Sequence, residues 1–227
     1  MFIPLKDENP TSRFPFVTVC LIALNIFIFL YQLFSPQAIQ YFVYKMAAVP
    51  YEITHFTPVT FVALEFHDPI LRLHPALTLL TCMFLHGSFL HIFGNMLYLW
   101  IFGNNVEDFL GHFRFIIFYL ISGLGASFIH ILFHVNSKVP MIGASGAIAG
   151  VLGAYLILYP GAKVLTLILI WIVPIPAAIV LGIWFLGQIM NIGIGGGVAW
   201  FAHIGGFIIG ILLIRYYLKK RRRVWIR

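Results

Sequence analysis

The sequence is organised around residues 143–150, GASGAIAG, where one serine stands between glycines at the head of an apolar run that reaches Pro160. A serine at the first turn of a helix is often only an N-cap, because its oxygen accepts a hydrogen bond from the free amides there. The same hydroxyl becomes a nucleophile when an imidazole is close enough to take its proton. The rest of the sequence decides between these two roles for Ser145.

The composition is that of a membrane protein. Of the 227 residues, 61% are apolar and only 9% are charged, and the mean hydropathy is +0.98. Soluble domains carry about one charged residue in four. We therefore expect a single polytopic membrane domain that uses nearly the whole length of the chain.

Six apolar segments have the length of about 18 to 22 residues that is needed to cross a bilayer of about 30 Å. They are residues 14–34, 83–103, 113–134, 143–160, 174–191 and 198–218. An even number of crossings places both termini on one side. With the termini in the cytoplasm, 11 of the 14 Lys and Arg residues are cytoplasmic, which agrees with the positive-inside rule.

Outside the six-span membrane domain, 14–218, residues 1–13 are predicted to be a short cytoplasmic N-terminus and 219–227 a basic cytoplasmic tail. Basic residues directly after an apolar helix mark the inner membrane face, and we expect no nucleic-acid partner. The connection 35–82 contains five prolines and is predicted to form short helices in the outer interface. Residues 162–173 are either interfacial or the distorted start of the fifth span. The expected fold class is all-α.

Polar residues gather in the outer half of three spans. The second, fourth and sixth spans run from outside to inside, and their early residues include His86, His91 and Asn95, then Ser145, then His203. Ionisable groups are costly in lipid and mark a site that faces the interior of the bundle. We therefore predict that Ser145 and His203 meet at hydrogen-bond distance as nucleophile and base.

Glycines on two of these spans suggest how the pair comes together. Gly146 and Gly150 lie on the fourth span, and Gly206 and Gly210 lie on the sixth. Each pair forms a small-xxx-small face, which lets helix backbones approach closely. We expect the fourth and sixth spans to pack against each other.

No acidic residue is expected beside the histidine. Glu107 and Asp108 lie about sixteen residues after His91, which is roughly 24 Å along a helix. The acids of the first outer connection are not expected to fold into the site; they are Glu52, Glu65 and Asp68. The predicted catalytic group is therefore a Ser-His dyad.

His91 and Asn95 are four residues apart and share one face of a helix. Both side chains can donate hydrogen bonds to a developing oxyanion, together with the amides at the helix N-terminus near Ser145. The alternative is ordinary interhelical hydrogen bonding, which is common for His and Asn in membranes. His86 is five residues from His91, and no HExxH motif occurs, so we expect neither a metal nor another cofactor.

A set of motifs resembles the rhomboid intramembrane serine proteases, in order and over residues 14–217. It consists of HGSFLHIFGN at 86–95, Glu107 with Gly111, GASG at 143–146, and AHIGG at 202–206 with Gly210. The resemblance implies a six-helix rhomboid bundle with a long, partly helical first outer loop.

The resemblance also implies roles for individual residues. Ser145 would be the nucleophile, His203 the general base, and His91, Asn95 and the Ser145 backbone amide the oxyanion site. Supporting positions would be His86 at the outer rim, Gly143 and Gly146; structural positions would be Glu107, Gly111, Gly150, Gly206 and Gly210. Two features depart from the family pattern: Leu71 precedes Arg72 where a Trp-Arg pair is expected, and Ala149 stands where some members carry a tyrosine that stacks on the histidine.

The implied activity is cleavage of single-pass membrane proteins within or beside their transmembrane segment, with these substrates and the lipid bilayer as partners. The alternative is an inactive relative that binds and escorts membrane segments, but such relatives typically lose the serine or the histidine. The fifth span or the glycine-rich connection 192–197 is expected to move aside for substrate, and Gln188 on that span is interpreted mainly as packing. A prokaryotic plasma membrane, with the site open to the outer face, is the expected location.

Overall fold

The computed structural model of the protein describes residues 2–34, 36–57, 73–194 and 197–225. Helices dominate, and a small antiparallel sheet joins them. In chain order the elements are β1 (Phe2–Asp7), α1 (Phe16–Leu33), α2 (Pro36–Met46), α3 (Pro50–His55), α4 (Pro75–Thr81), a 3-10 turn (Cys82–Phe84), α5 (Phe89–Leu110), α6 (His112–Phe133), α7 (Ser145–Leu158), β2 (Lys163–Ile168), β3 (Trp171–Pro176), α8 (Ala177–Met190) and α9 (Trp200–Trp225).

Within these described residues, three helices are long and apolar enough to cross a membrane: α1, α6 and α9. A fourth crossing results if α4 with the 3-10 turn is joined to α5, from which it is bent by 81°. The remaining two apolar helices, α7 and α8, have 14 residues each, or about 21 Å at 1.5 Å per residue. The protein is a multi-pass membrane protein.

Each of the six predicted spans falls on one of these helices, but the limits of the second were wrong. Its helix begins at Phe89, because Ser88 is extended and its hydroxyl accepts a 3.2 Å hydrogen bond from the His91 amide as an N-cap. It continues to Leu110 and ends at Gly111, whose φ of +77° suits glycine. Glu107 therefore lies inside the last turn of α5.

The expectation of an all-α fold was wrong, because β1, β2 and β3 form a three-stranded antiparallel sheet in that order. Residues 162–173 supply a hairpin that turns at Leu169 and Ile170. The N-terminal segment, for which no strand was predicted, supplies the third strand, with Phe2 opposite Ile168. The two prolines of β3 lie on an edge strand, where a missing amide leaves the ladder intact.

Short helices fill the described part of the connection after α1. The helices α2, α3 and α4 all lie there, as predicted, while the predictions about Glu65, Asp68 and Arg72 lie outside the described residues. This segment is tied to the loop before α7 by backbone hydrogen bonds. The Met141 amide donates to Ala48 at 2.7 Å, and the Tyr51 amide donates to Ser137 at 2.9 Å.

Helix α7 lies at the centre of the bundle, with every residue from 147 to 155 buried. Its backbone touches that of α9 directly. A Cβ atom added to Gly206 would lie 2.1 Å from the carbonyl oxygen of Gly146, and one added to Gly210 would lie 2.0 Å from that of Gly150. Only glycine fits at these two positions of α9, and the close approach brings the beginning of α7 beside the beginning of α9.

Glu107 joins α5 to the start of α1. Its carboxylate accepts hydrogen bonds from the amides of Val17 and Thr18, at 2.8 and 2.7 Å, and from the Thr18 hydroxyl at 2.6 Å. A carboxylate at a helix N-terminus satisfies free amides and opposes the positive end of the helix dipole. The side chain is 1% exposed, so this contact fixes the relative position of the two helices.

Candidate active site

Ser145 is the first residue of α7, and its hydroxyl lies 2.8 Å from Nε2 of His203 on α9. No side chain caps α7, so the hydroxyl is not used as an N-cap. The simpler interpretation of this serine as a helix cap is therefore wrong. A hydroxyl that faces an imidazole nitrogen at this distance can pass its proton to that nitrogen.

The other ring nitrogen of His203 contacts a residue that the sequence pattern had assigned mainly to packing. Nδ1 lies 2.7 Å from Oε1 of Gln188, which is on α8. Within the described residues no carboxylate occupies this place, since Glu107 is engaged at the far end of α5 with α1. A polar residue in an otherwise apolar helix was the available signal, but sequence does not give the rotation of α8 toward the site.

Two tryptophans flank the imidazole of His203. The ring of Trp184 lies 6.0 Å from it at a tilt of 33°, and the ring of Trp200 lies 6.1 Å from it edge-on. Ala149, the position where a stacking tyrosine was missing, is buried inside α7. Tryptophans from α8 and α9 therefore provide the aromatic surroundings of the histidine.

His91 and Gly143 lie beside Ser145. A Cβ atom added to Gly143 would come within 2.7 Å of His91 Nε2 and 3.7 Å of Ser145 Oγ. Gly143 also has a φ of +118°, so both its backbone and its surroundings favour glycine. The imidazole of His91 consequently reaches the turn that precedes Ser145.

Asn95 lies one helical turn after His91 and is 7% exposed. Its Nδ2 donates a 2.9 Å hydrogen bond to the carbonyl oxygen of His91. A primary amide has two N–H groups, so a second donor remains. The amide of Ser145, as the first of the helix, has no intrahelical partner. With the His91 imidazole, the Asn95 side chain and the Ser145 amide make three hydrogen-bond donors available near the Ser145 hydroxyl.

His86 was expected to support the outer rim of the site, and that role stays a prediction. The side chain is fully buried, and its ring packs edge-on against that of His91 with centroids 4.9 Å apart. Its backbone amide donates to Gln32 Oε1 on α1 at 3.3 Å. His86 therefore contacts both Gln32 of α1, through its backbone, and His91, through its ring.

A cavity of about 860 Å³ contains these groups in its wall. Ser145, His203, His91 and Asn95 all line it. So do His130 near the end of α6 and His134 just after it, which the sequence pattern did not single out and whose rings are stacked 4.3 Å apart. Within the described residues, no three His, Cys, Asp or Glu side chains form a cluster suited to a metal ion. The arrangement suits acyl transfer to a serine hydroxyl.

Comparison with known proteins places this geometry in context. A family model described as the Rhomboid domain matches residues 74–220, more than half of the chain. RHOMBOID-like protein 5 of Arabidopsis thaliana is 35% identical over 144 residues, which are 60% of this chain and 42% of that protein. RHOMBOID-like protein 2 of the same plant is 38% identical over 158 residues, or 66% and 45% of the two chains.

A fungal relative has a similar identity and coverage. Rhomboid protein 1, mitochondrial, of Saccharomyces cerevisiae is 33% identical over 148 residues, which are 60% of this chain and 40% of that protein. The alignments cover less than half the length of these relatives. All of the site residues from His86 to His203 fall within the matched domain. The chain therefore belongs to the rhomboid family.

Proposed function

We propose that this protein is an intramembrane serine endopeptidase that cleaves single-pass membrane proteins within or beside their transmembrane segment. The observation that carries the proposal is the 2.8 Å approach of Ser145 Oγ to His203 Nε2, inside a cavity that other hydrogen-bond donors line. A partly buried serine and histidine with only a packing role would not need to share a cavity of this size. The geometry is that of a nucleophile and its general base.

In the proposed reaction, His203 accepts the hydroxyl proton as Ser145 Oγ attacks the scissile carbonyl carbon. The negative charge that develops on the carbonyl oxygen is stabilised by the Ser145 amide, the second N–H of Asn95 and the His91 imidazole. His203 then protonates the leaving amine, and the acyl-enzyme forms. Water, activated by the same histidine, hydrolyses the ester and restores the serine.

We further propose that six helices, α1, α5, α6, α7, α8 and α9, make the crossings, with both termini in the cytoplasm. In that arrangement Ser145 begins a helix of about 21 Å in a hydrocarbon layer of about 30 Å, so the nucleophile is recessed below the outer surface. The cavity then supplies water from that side. Of the relatives named above, two are from a plant and one is mitochondrial. They lend no support to the expected prokaryotic plasma membrane, so the proposal names no particular membrane.

The first prediction concerns covalent labelling. A fluorophosphonate should label the wild-type protein in detergent, because the activated hydroxyl attacks phosphorus, and Ser145→Ala should abolish both labelling and cleavage of a single-pass model substrate. The matched control is Ser137→Ala, which removes another serine that lines the cavity. Labelling that persists in Ser145→Ala would overturn the proposal. Binding of substrate without labelling of the wild type would instead favour the escort alternative.

A further inference from the structure

Gln188 is a buried amide on α8 with two hydrogen-bond partners of different kinds. Its side chain is 8% exposed. Nε2 lies 3.0 Å from the backbone carbonyl oxygen of Trp184, one turn earlier on the same helix, and Oε1 lies 2.7 Å from Nδ1 of His203. The amide thus bridges the backbone of α8 to the imidazole on α9.

These two contacts fix which way the amide points. A backbone carbonyl oxygen only accepts hydrogen bonds, so the NH₂ end of Gln188 must face Trp184. The oxygen end therefore faces His203, and an amide oxygen also only accepts. Consequently Nδ1 of His203 carries the hydrogen of this bond.

The position of that hydrogen decides what the other side of the ring can do. A neutral imidazole carries one N–H, so when Nδ1 is protonated Nε2 presents its lone pair. Nε2 is the atom that lies 2.8 Å from Ser145 Oγ. In this tautomer the serine donates its hydrogen bond to the imidazole, which is the direction that a general base requires. The opposite tautomer would point an N–H at the hydroxyl.

We propose that Gln188 is the positioning residue of the general base, and that it selects the Nδ1–H tautomer of His203 and holds the ring toward Ser145. This inference rests on the proposed protease function. Gln188 would take the place that a buried carboxylate occupies in Ser-His-Asp sites, with the geometry retained and without its negative charge. The side-chain hydrogen bonds of Gln188 go to Trp184 and His203 and not to Ser145, so it acts through His203.

The bridge also links the base to the packing of α8. Gln188 and Trp184 belong to α8, while His203 belongs to α9, so the orientation of the imidazole depends on α8 staying against α9. A movement of α8 away from α9 would release the Nδ1 partner. Catalytic competence and the position of α8 are coupled by one side chain.

The alternative is that Gln188 only satisfies buried polar atoms. The second prediction separates the two roles with the full-length protein in detergent and a fluorogenic single-pass substrate. Gln188→Met keeps the size and removes the acceptor, and kcat should fall about 10- to 100-fold with little change in KM, as for other outer-shell partners of a histidine. Asn191→Ala is the control, because Asn191 makes the same kind of bond one turn later, to Gly187, without contacting His203.

Gln188→Glu tests the mechanism by adding charge at the same place. A carboxylate favours the imidazolium, so the acid limb of the pH profile of kcat/KM should move to higher pH, while kcat above that limb is largely kept. If the side chain at position 188 did not face the imidazole of His203, the limb would not move. The inference is overturned if Gln188→Met retains kcat within twofold of wild type, or if the limb of Gln188→Glu is that of wild type.

A readout that needs no activity distinguishes this inference from the proposed function. In protein labelled with ¹⁵N-histidine, the wild type should show the Nδ1–H tautomer of His203, and Gln188→Met should lose it. A wild type with the Nε2–H tautomer overturns the role of Gln188 even if the protein cleaves. A wild type with the Nδ1–H tautomer that neither labels nor cleaves supports the role of Gln188 and overturns the protease.

Discussion

Asp7 is a buried carboxylate at the end of β1, and it is bonded to two helices. Its Oδ2 accepts hydrogen bonds of 2.7 Å from Asn105 Nδ2 on α5 and from the Tyr155 hydroxyl on α7. Burial raises the pKa of Asp7 above its usual value of 3.8, although the bond from Tyr155 opposes the rise. The folded protein therefore holds the Asp7 proton more tightly than the unfolded chain does.

The sign of the pH dependence follows from this direction. The stabilisation from Asp7 is fully present below the unfolded pKa and is lost as the pH rises through the folded pKa. Our third prediction concerns Asp7→Asn, which keeps a hydrogen-bond acceptor without the charge. In this variant the fall in Tm that deprotonation of Asp7 causes as the pH rises should disappear from the curve of Tm against pH measured in detergent. A curve for Asp7→Asn parallel to that of wild type would contradict the shift.

A second substitution controls for the hydrogen bonds themselves. Asp7→Leu leaves the Tyr155 hydroxyl and the Asn105 amide buried without this partner, which costs about 1–3 kcal/mol for such a group. Its Tm should lie below that of Asp7→Asn at every pH. Equal melting temperatures for the two variants would mean that the carboxylate oxygen does not hold these helices together.

The contrast between Ser145 and Gln188 shows which individual residues of the site can be recognised from sequence. Ser145 and His203 stood out because they are polar residues near the beginnings of apolar spans, each with a GxxxG pattern close by. Their hydrogen bond remained a prediction until the structure gave its distance. Gln188 could not be recognised in the same way, because its significance depends on the rotation of α8, and an apolar helix exposed to lipid has no polar face that reveals this rotation.

At the scale of elements, the contact between α7 and α9 sets the distance between Ser145 and His203. Our fourth prediction is that Gly206→Ala destabilises the protein by about 1–3 kcal/mol, the usual cost of overpacking, and separates Ser145 from His203. The reason is that the new Cβ would meet the backbone of Gly146. Tm and the rate of fluorophosphonate labelling measure the two effects.

The control for this prediction lies on the neighbouring helix. Gly187 of α8 has no atom within 4 Å of an added Cβ, so Gly187→Ala should leave labelling unchanged. Replacing an interior helical glycine by alanine favours the helix by about 0.5–1 kcal/mol, and Tm should not fall. If the two variants behaved alike, the close approach of α7 and α9 would not be what positions the dyad.

The sheet is the element that the sequence did not predict. Residues 162–173 are apolar except for Lys163 and Thr166, and such a short apolar run has no periodicity that separates a strand from a helical segment. One neighbour of β2 in the sheet is β1, in which Asp7 pairs with Val164. A pairing between residues so far apart in sequence leaves no local pattern, whereas the long helices were predictable from length and hydropathy alone.

At the scale of the whole molecule, the orientation in the membrane is the open prediction. Lys138 and Lys163 are both exposed and lie on either side of α7. With both termini in the cytoplasm they face opposite sides of the membrane. Our fifth prediction is that, in a background without Cys20 and Cys82, a membrane-impermeant maleimide applied to intact cells labels Lys138→Cys and spares Lys163→Cys.

Permeabilised cells provide the control for this experiment, because both cysteines should then react. Labelling of Lys163→Cys alone would invert the proposed orientation. Labelling of both sites before permeabilisation would place them on one side, and α7 would then not be a crossing. The number of spans would have to be revised accordingly.

The pairing of β1 with β2 has a consequence for biosynthesis. Phe2 lies opposite Ile168, so the first strand is made 166 residues before its partner. At synthesis rates of about 5–20 residues per second, β1 waits roughly 10 to 30 seconds for β2 to leave the ribosome. By the time β2 has been made, α1, α5, α6 and α7 have also been made, so both Asn105 and Tyr155 are available to Asp7. The sheet can therefore close only after α7 has been made, and α8 and α9 follow it in the order of synthesis.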